Sequence, residues 1–277
     1  MNMAFFGCSS LPIKITDLLG TFVYDNSKLT NLNYAFTSCK GGQTSWSLDL
    51  SKLSKSITNL HVTFNNTNLS TINNQIVIDS QLTTVAGAFA NNNLVSIPNN
   101  IFINCNKLTS ANYCFSNNIK LAYIPNTMFI NNTSPLYDNS GNRVYFSAEG
   151  LFANCTSLNS SNIKAFLNNN PRIEIANKMF CNTSYSELPN GLFNNLTILS
   201  SAIAMFANCA NLKQLPNYLV ENNENETEGI NHQNKTRQNL NCGGLFTNCT
   251  ALEGYIPATL FNGLRQYIIS LGAEKTG

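Results

Sequence analysis

The residues of this chain that could carry chemistry are few and lie far apart in the sequence. Among its 277 residues are two His, 14 acidic residues and 16 basic residues. His61 lies in an apolar segment and His232 in a polar one. The sequence contains no Gly-x-Ser-x-Gly nucleophile motif, no His-Glu-x-x-His zinc motif and no phosphate-binding loop. It therefore predicts a protein that is not an enzyme and that uses no cofactor.

One segment has the spacing of a calcium-binding loop. Asp138, Ser140, Asn142 and Glu149 stand where such a loop places four of its oxygen ligands. The position that requires Gly for the sharp turn holds Arg143 instead. We therefore predict no metal site.

Cysteine is the other residue type that could ligate or react, and the chain has nine. Six of them lie three residues after a Phe: Cys8, Cys39, Cys105, Cys155, Cys209 and Cys249. The equivalent position elsewhere holds Asn or Thr, as at Asn92 and Thr183. A position that accepts Cys, Asn or Thr indicates a small buried site, so we predict buried free thiols. Disulfides and zinc remain alternatives, although no Cys-x-x-Cys pair is present.

These positions belong to a sequence repeat. The tripeptide Phe-x-Asn occurs eleven times, mostly at intervals of 13 or 14 residues. Two kinds of half-repeat alternate, and one of them continues into Leu-x-x-Ile/Leu-Pro, so the full unit has about 26 residues, as from Phe89 to Phe115. A unit of this size cannot bury its apolar face alone, whereas stacked units can. The sequence predicts a repeat solenoid of about nine coils.

The repeat also predicts local structure. The Leu-x-x-Ile/Leu-Pro segment reads as a short parallel strand that ends at its Pro, and the residues before each Phe read as short α or 3-10 turns. The Asn two residues after each Phe is replaced by Gly at Gly7 and Gly263. That exchange predicts a left-handed turn residue, whose amide also bonds backbone groups of neighbouring coils.

Composition and length complete the outline. The solenoid is predicted to span residues 1–264, with insertions at 133–145 and 222–241, followed by a C-terminal cap or tail at 265–277. The net charge is +2 and 11% of the residues are charged, so the sequence does not predict a basic surface of the kind that binds nucleic acid. No run of apolar residues is long enough to span a membrane, and no signal peptide is visible.

The repeat resembles a known family. Phe-x-Asn-Cys-x-x-Leu-x-x-Leu-Pro, as in Phe206 to Pro216, is similar to BspA-like leucine-rich repeats. It is also similar to the 26-residue repeats of mycoplasma and gut-bacterial surface proteins, whose Leu-Asp-Leu-Ser strand is matched at Leu48 to Ser51. The resemblance covers most of the chain, from Phe5 to Leu264. It implies a solenoid of the leucine-rich-repeat type and a role in adhesion or protein recognition, on bacterial surfaces, in some protists or in phage structural proteins.

These expectations place candidate binding residues on two surfaces. The exposed x positions of the Leu-x-x-Ile/Leu-Pro segments form the strand face, where outward side chains stand in a row. Its candidates are Tyr123, Glu187, Lys213, Gln214, Glu253 and Tyr255. Insertions in repeat proteins often bind ligands, and their candidates here are Tyr137, Asp138, Arg143, His232, Lys235 and Arg237. Ordinary solvated surface is the alternative for the strand face, and a disordered loop is the alternative for the second insertion.

The predicted function is a recognition or adhesion module that binds a protein or a glycan on a bacterial surface or a virion. The alternative is a structural subunit that decorates or bridges a larger assembly, such as a phage particle. In that alternative the chain docks on another subunit or forms part of a longer chain.

Overall fold

The computed structural model describes residues 1–10, 14–24, 26–40, 42–76, 80–103, 105–129, 136–137, 140–159, 161–221 and 240–261. Regular secondary structure within these ranges is sparse. In chain order it comprises helix α1 (Ile15–Phe22), strand β1 (Trp46–Asp49), the 3-10 helix Leu50–Lys52, strands β2 (Leu69–Asn73), β3 (Leu136–Tyr137) and β4 (Arg143–Val144), and helix α2 (Ile163–Asn168). β1 pairs with β2 in parallel, and β3 pairs with β4 as an antiparallel hairpin. The predicted tail at 265–277 lies outside the described residues.

A single column of aromatic rings runs through the core. Neighbouring rings in this column have centroids 5.3–6.0 Å apart and planes inclined by 3–18°, which is an offset-stacked geometry. The nine rings, hereafter the anchor Phe residues, are Phe5, Phe36, Phe64, Phe89, Phe115, Phe152, Phe180, Phe206 and Phe246. Units that are consecutive in sequence are therefore neighbours in space.

The backbone around each anchor Phe is a series of overlapping turns, not an α-helical turn. At Phe36, the N–H groups of Ala35, Thr37 and Cys39 donate to the carbonyls three residues earlier, at 2.9–3.3 Å. The intervening N–H groups, including that of Phe36 itself, donate to carbonyls of the next unit at 2.8–3.1 Å. Successive backbone N–H groups thus bond alternately to a carbonyl of the same unit and to a carbonyl of the next unit. These bonds join neighbouring units along the whole segment around the anchor Phe.

A ladder of parallel bridges runs beside the Phe column. Each bridging residue lies five positions before an anchor Phe, and each unit pairs with the next one along the chain. The ladder consists of Asn31, Asn59, Thr84, Ser110, Ser147, Ile175, Ser201 and Asn241. It lies in the apolar segment that precedes each anchor Phe, such as Leu82 to Val85, where the spacing of the apolar residues is compatible with a helical turn and the Thr and Ser content with a strand. The structure forms isolated parallel bridges there.

The predicted strands in the Leu-x-x-Ile/Leu-Pro segments are largely wrong. Residues 94–98 and 121–125 form no strand, and Gln214 is joined to Glu187 by one isolated parallel bridge. The Pro at the end of each segment has no N–H to donate, so the pairing between neighbouring Leu-x-x-Ile/Leu-Pro segments is limited to a single residue. Longer parallel pairing occurs only between β1 and β2, within the described part of the chain.

The left-handed assignment of Asn is confirmed in one half-repeat and wrong in the other. All nine residues two positions after an anchor Phe have φ between 55° and 71°. Seven of them are Asn: Asn66, Asn91, Asn117, Asn154, Asn182, Asn208 and Asn248. In the other half-repeat, Asn168 closes helix α2 and Asn195 does not have a positive φ. Amides that follow an anchor Phe bond side chains, as in Asn182 Nδ2 to Asn154 Oδ1 at 2.9 Å. In the other half-repeat, Asn195 Nδ2 donates to the backbone carbonyl of Asn168 in the preceding unit at 3.5 Å, as predicted.

The turn geometry makes a testable prediction at Asn208, where φ is 60°. Asn208→Val should lower the free energy of unfolding by about 1–3 kcal/mol, because a β-branched residue tolerates this conformation poorly. Asn208→Gly should cost little, since Gly adopts positive φ freely. Urea denaturation of the two variants measures the difference. Equal losses would show that the conformation does not govern this position.

Buried side chains that can donate hydrogen bonds occupy the position three residues after eight of the nine anchor Phe residues, and the ninth, Cys8, is partly buried. Asn118 is fully buried and donates to the carbonyls of Phe89 and Phe115 at 3.0 and 2.8 Å. Cys155 and Cys209 donate to the anchor Phe carbonyl of an earlier unit at 3.2 and 3.3 Å. Thr67 and Thr183 donate to the anchor Phe carbonyl of their own unit at 3.0 and 2.7 Å. The position accepts Asn, Thr or Cys because each can donate a hydrogen bond to an anchor Phe carbonyl.

All nine Cys are free thiols, as predicted, and six of them are buried. Burial raises the pKa of Cys105 and of Cys155 to about 12, which keeps these thiols protonated and unreactive. Cys209 is different, because a hydrogen bond from the Cys249 thiol in the next unit lowers its pKa to about 7. Its side chain is fully buried, so access to reagents from solvent is restricted.

Candidate functional site

The structure brings four of the six strand-face candidates together. Glu187 and Gln214 are partners in a parallel bridge between neighbouring units. The N–H of Lys213 donates to the Ser186 carbonyl at 2.9 Å, and the N–H of Glu253 donates to the Lys213 carbonyl at 3.1 Å. The side chains of Glu187, Lys213, Gln214 and Glu253 are exposed. They therefore form one surface across three successive units.

The other two strand-face candidates, Tyr123 and Tyr255, lie outside this group of four residues. Tyr123 is 46% exposed and lies on the unit of Phe115, two units before that of Glu187. Tyr255 is 99% exposed and lies on the unit of Phe246, beside that of Gln214. Tyr255 is thus near enough in the stack to extend the surface, whereas Tyr123 is not part of the same cluster.

A groove of about 450 Å³, hereafter the polar groove, opens on this surface. One wall comes from the start of α2 and the residues before it, and the other from the segments that follow Tyr185 and Gln214. Its lining residues are Asn159, Ser161, Ile163, Tyr185, Ser186, Glu187, Leu188, Pro189, Asn190, Gln214, Leu215, Pro216 and Asn217. The groove forms where the unit after Phe152 lacks the usual Pro and continues into α2 instead.

The polar side chains at the centre of the groove are available to a ligand. Within the described residues, the side chains of Glu187 and Gln214 make no hydrogen bond and no ion pair. Burial raises the pKa of Tyr185, whose hydroxyl is buried without a hydrogen-bond partner. Sequence reasoning selected Glu187 and Gln214 but missed Asn190 and Asn217. The absent Pro after Leu158 was the one signal that could have pointed to them.

The first insertion carries a second candidate surface, and one of its residues has a structural partner. Tyr137 is 62% exposed on the hairpin and pairs with Arg143 across the two strands. Arg143 Nη2 lies 3.0 Å from Glu174 Oε2, and Glu174 is 2% exposed. Its guanidinium also lies over the Tyr145 ring, 5.5 Å from the centroid. Arg143 therefore ties the hairpin to the body of the protein.

Arg172 and Glu174, which the sequence did not single out, are two buried charged residues close to this hairpin. Glu174 accepts a hydrogen bond from the Phe146 N–H at 3.2 Å. The buried Arg172 guanidinium lies over the Phe146 ring, 5.4 Å from its centroid, and its Nη2 has no hydrogen-bond partner. Burial raises the pKa of Glu174 and lowers that of Arg172, although the charges of Arg143 and Arg172 favour ionised Glu174.

The raised pKa of Glu174 predicts a pH dependence of stability. The folded protein holds the Glu174 proton above the ordinary value of 4.5, so the stability from this group is complete below 4.5 and declines as pH rises through the folded pKa. The stability of wild type relative to Glu174→Gln should therefore be greater at about pH 4 than at about pH 7. Urea denaturation at both values tests this, with exposed Glu253→Gln as the control. A relative stability that grows with pH would contradict it.

The remaining candidates fall into two groups. Glu149, which would complete the calcium-like spacing, accepts a hydrogen bond from the Tyr113 hydroxyl at 2.9 Å. No group of three or more His, Cys, Asp or Glu that could hold a metal occurs among the described residues. Asp138, His232, Lys235 and Arg237 lie outside the described ranges, as does nearly all of the second insertion.

Comparison of the chain with protein-family models, with curated proteins and with solved structures gives no match. Where the structure is described, none of its helices is both long and apolar enough to cross a membrane.

Proposed function

We propose that this chain is a solenoid of the leucine-rich-repeat type that acts as a non-enzymatic recognition module. It binds a protein or a glycan through the strand face, on a bacterial surface or a virion. The observation that carries the proposal is the polar groove, in which Glu187 and Gln214 are bridge partners with unengaged side chains. A concave site with a few convergent polar groups is the usual form of a binding site.

The residues that line the groove are better suited to ligand binding than to catalysis of hydrolysis. Acid–base hydrolysis of a glycoside uses two carboxyl groups that flank the bond to be cleaved. Glu187 is the only carboxylate among the residues that line the groove. The lining also contains no Lys, His or Cys that could act as a base or nucleophile.

A blocking substitution tests the proposal. Gln214→Arg places a long side chain in the groove at an exposed position, so the fold should persist. Thr30→Arg introduces the same side chain at an exposed position far along the stack and is the matched control. Wild type and the control should bind the same ligands on glycan and protein arrays, and Gln214→Arg should lose them. Unchanged binding by Gln214→Arg, or an absence of any ligand on both arrays, would overturn the proposal.

A further inference from the structure

The polar groove has a chemical character that narrows the class of its ligand, and this inference rests on the function proposed above. We infer that the groove binds a neutral oligosaccharide. The volume of about 450 Å³ falls within the ordinary range for small-ligand sites. The groove is open along the strand face, so a linear ligand can extend beyond it.

The charge of the groove excludes one large group of ligands. Among its lining residues, Glu187 is the only one that is charged at neutral pH. A phosphate, a sulfated glycan or a nucleic acid would meet this carboxylate, and no cationic side chain is among the lining residues. The nearby Lys164 Nζ is hydrogen-bonded to the Asn190 carbonyl at 2.6 Å. A ligand without negative charge avoids that repulsion.

The hydrogen-bonding groups of the groove match sugar hydroxyls. The Glu187 carboxylate accepts hydrogen bonds, and the adjacent Gln214 amide both donates and accepts. Neighbouring hydroxyls on a sugar ring also donate and accept, so one carboxylate and one amide can hold a vicinal pair. A hydrogen bond to the charged carboxylate is the stronger of these contacts.

The apolar part of the lining suits the other surface of a sugar. Pro189, Leu215 and Pro216 contribute hydrocarbon to the groove. The C–H face of a pyranose ring can pack against such groups by apolar contact. A lining that alternates amides with prolines therefore fits a ring that is polar at its edge and apolar on its face.

An extended peptide is a poorer fit, because the backbone here is already engaged. Peptides that add to a sheet need unpaired N–H and C=O groups along an edge. At this surface the Ser186 carbonyl accepts from Lys213, and the Lys213 carbonyl accepts from Glu253. These two carbonyls are therefore not open to a peptide strand.

The test uses the full 277-residue chain on two arrays. One array carries neutral, sialylated and sulfated oligosaccharides, and the other carries peptides that include Lys- and Arg-rich sequences. Neutral oligosaccharides should bind, and the sialylated and sulfated ones should not. Affinity for the neutral hits should fall about tenfold to hundredfold in Glu187→Ala and in Gln214→Ala, since each removes ligand hydrogen bonds. Thr30→Ala changes an exposed residue far along the stack from the groove and should leave affinity unchanged.

The other outcomes separate this inference from the function on which it rests. If peptides bind instead, and Glu187→Ala abolishes that binding, the glycan inference is wrong while the recognition function stands. Such binding should weaken with added salt, whereas binding of a neutral glycan should not. If acidic glycans bind, or if both Ala variants bind the neutral oligosaccharides as tightly as wild type does, the inference is also wrong. If nothing binds on either array, both proposals fail.

Discussion

Phe115→Ala should lower the free energy of unfolding by about 3–5 kcal/mol, the largest loss expected from a single apolar truncation in this chain. Phe115 is fully buried in the middle of the Phe column. Its ring stacks on Phe89 at 5.5 Å and on Phe152 at 5.9 Å, and it also contacts Phe102 at 6.2 Å. Removing the ring leaves a cavity that the stacked units on both sides cannot fill without moving.

Two probes can measure this effect in different parts of the molecule. Far-UV circular dichroism in urea follows the whole chain, and the fluorescence of Trp46, the one Trp, follows the units near it. Trp46 is buried, and its indole N–H donates to the Thr67 carbonyl at 2.8 Å. Stability in a stack of repeats depends on contacts between neighbouring units. In Phe115→Ala, the unfolding transitions followed by circular dichroism and by Trp46 fluorescence should therefore occur at different urea concentrations.

The end of the column supplies the matched control. Phe5 is only partly buried and has one stacked partner, Phe36, at 5.3 Å. Phe5→Ala should therefore cost less than Phe115→Ala, because fewer contacts and less buried area are lost. Equal costs for the two substitutions would show that the column does not stabilise the protein through its neighbours.

Asn92→Leu should cost about 2–5 kcal/mol, although it places a more apolar residue in the core. Asn92 is 4% exposed, and its Oδ1 accepts hydrogen bonds from the N–H groups of Thr67 and Leu69, both at 3.0 Å. Its Nδ2 donates to the Phe64 carbonyl at 2.7 Å. Leu offers none of these bonds, so the Thr67 N–H would be left buried without a partner.

Two comparisons identify the cause of that loss. Asn93→Leu adds the same side chain at the next residue, which is less buried, and should change stability by no more than about 0.5 kcal/mol. Asn92→Thr keeps a hydroxyl that can donate, as Thr183 does at the same position of its unit, and should cost less than Asn92→Leu. Urea midpoints of the three variants decide the matter. A stable Asn92→Leu protein would show that the buried amide is dispensable.

Much of the local structure near the anchor Phe residues could be read from the sequence. The exchange of Asn with Gly predicted positive φ two residues after Phe, and the structure confirms it wherever an anchor Phe precedes. The same tripeptide predicted the wrong conformation at Asn168. There Ile163, Phe166 and Leu167 are buried on one side of α2, and their helical spacing overrides the turn preference of Asn.

The sequence predicted individual residues of the candidate surface, but it did not predict that they line a groove. The Leu-x-x-Ile/Leu-Pro pattern predicted that Glu187 and Gln214 face solvent, because both occupy x positions of the pattern. It did not predict that α2 would form the opposite wall of a groove. Arg143 shows the opposite case, since its partner Glu174 lies in a later unit and no sequence spacing links the two.

A second set of left-handed residues had a weaker sequence signal. The residue two positions before each anchor Phe also has positive φ, and it is Gly in only three of the nine units, at Gly87, Gly150 and Gly244. In the other six units it is Met3, Tyr34, Val62, Tyr113, Lys178 or Ala204. These side chains disfavour that conformation when considered alone. Each of these residues nevertheless donates its backbone N–H to the next unit at 2.7–3.0 Å.

The sequence by itself determined the repeat, the buried Phe, the small residue three positions after it and the left-handed Asn, because each follows from the preferences of the residue types at one position. Only the tertiary structure decided the second left-handed position, the one-residue bridge ladder, the buried Arg172 and Glu174, and the walls of the polar groove. These features depend on hydrogen bonds and contacts between units. Such contacts can impose a conformation that the residues concerned would not adopt alone.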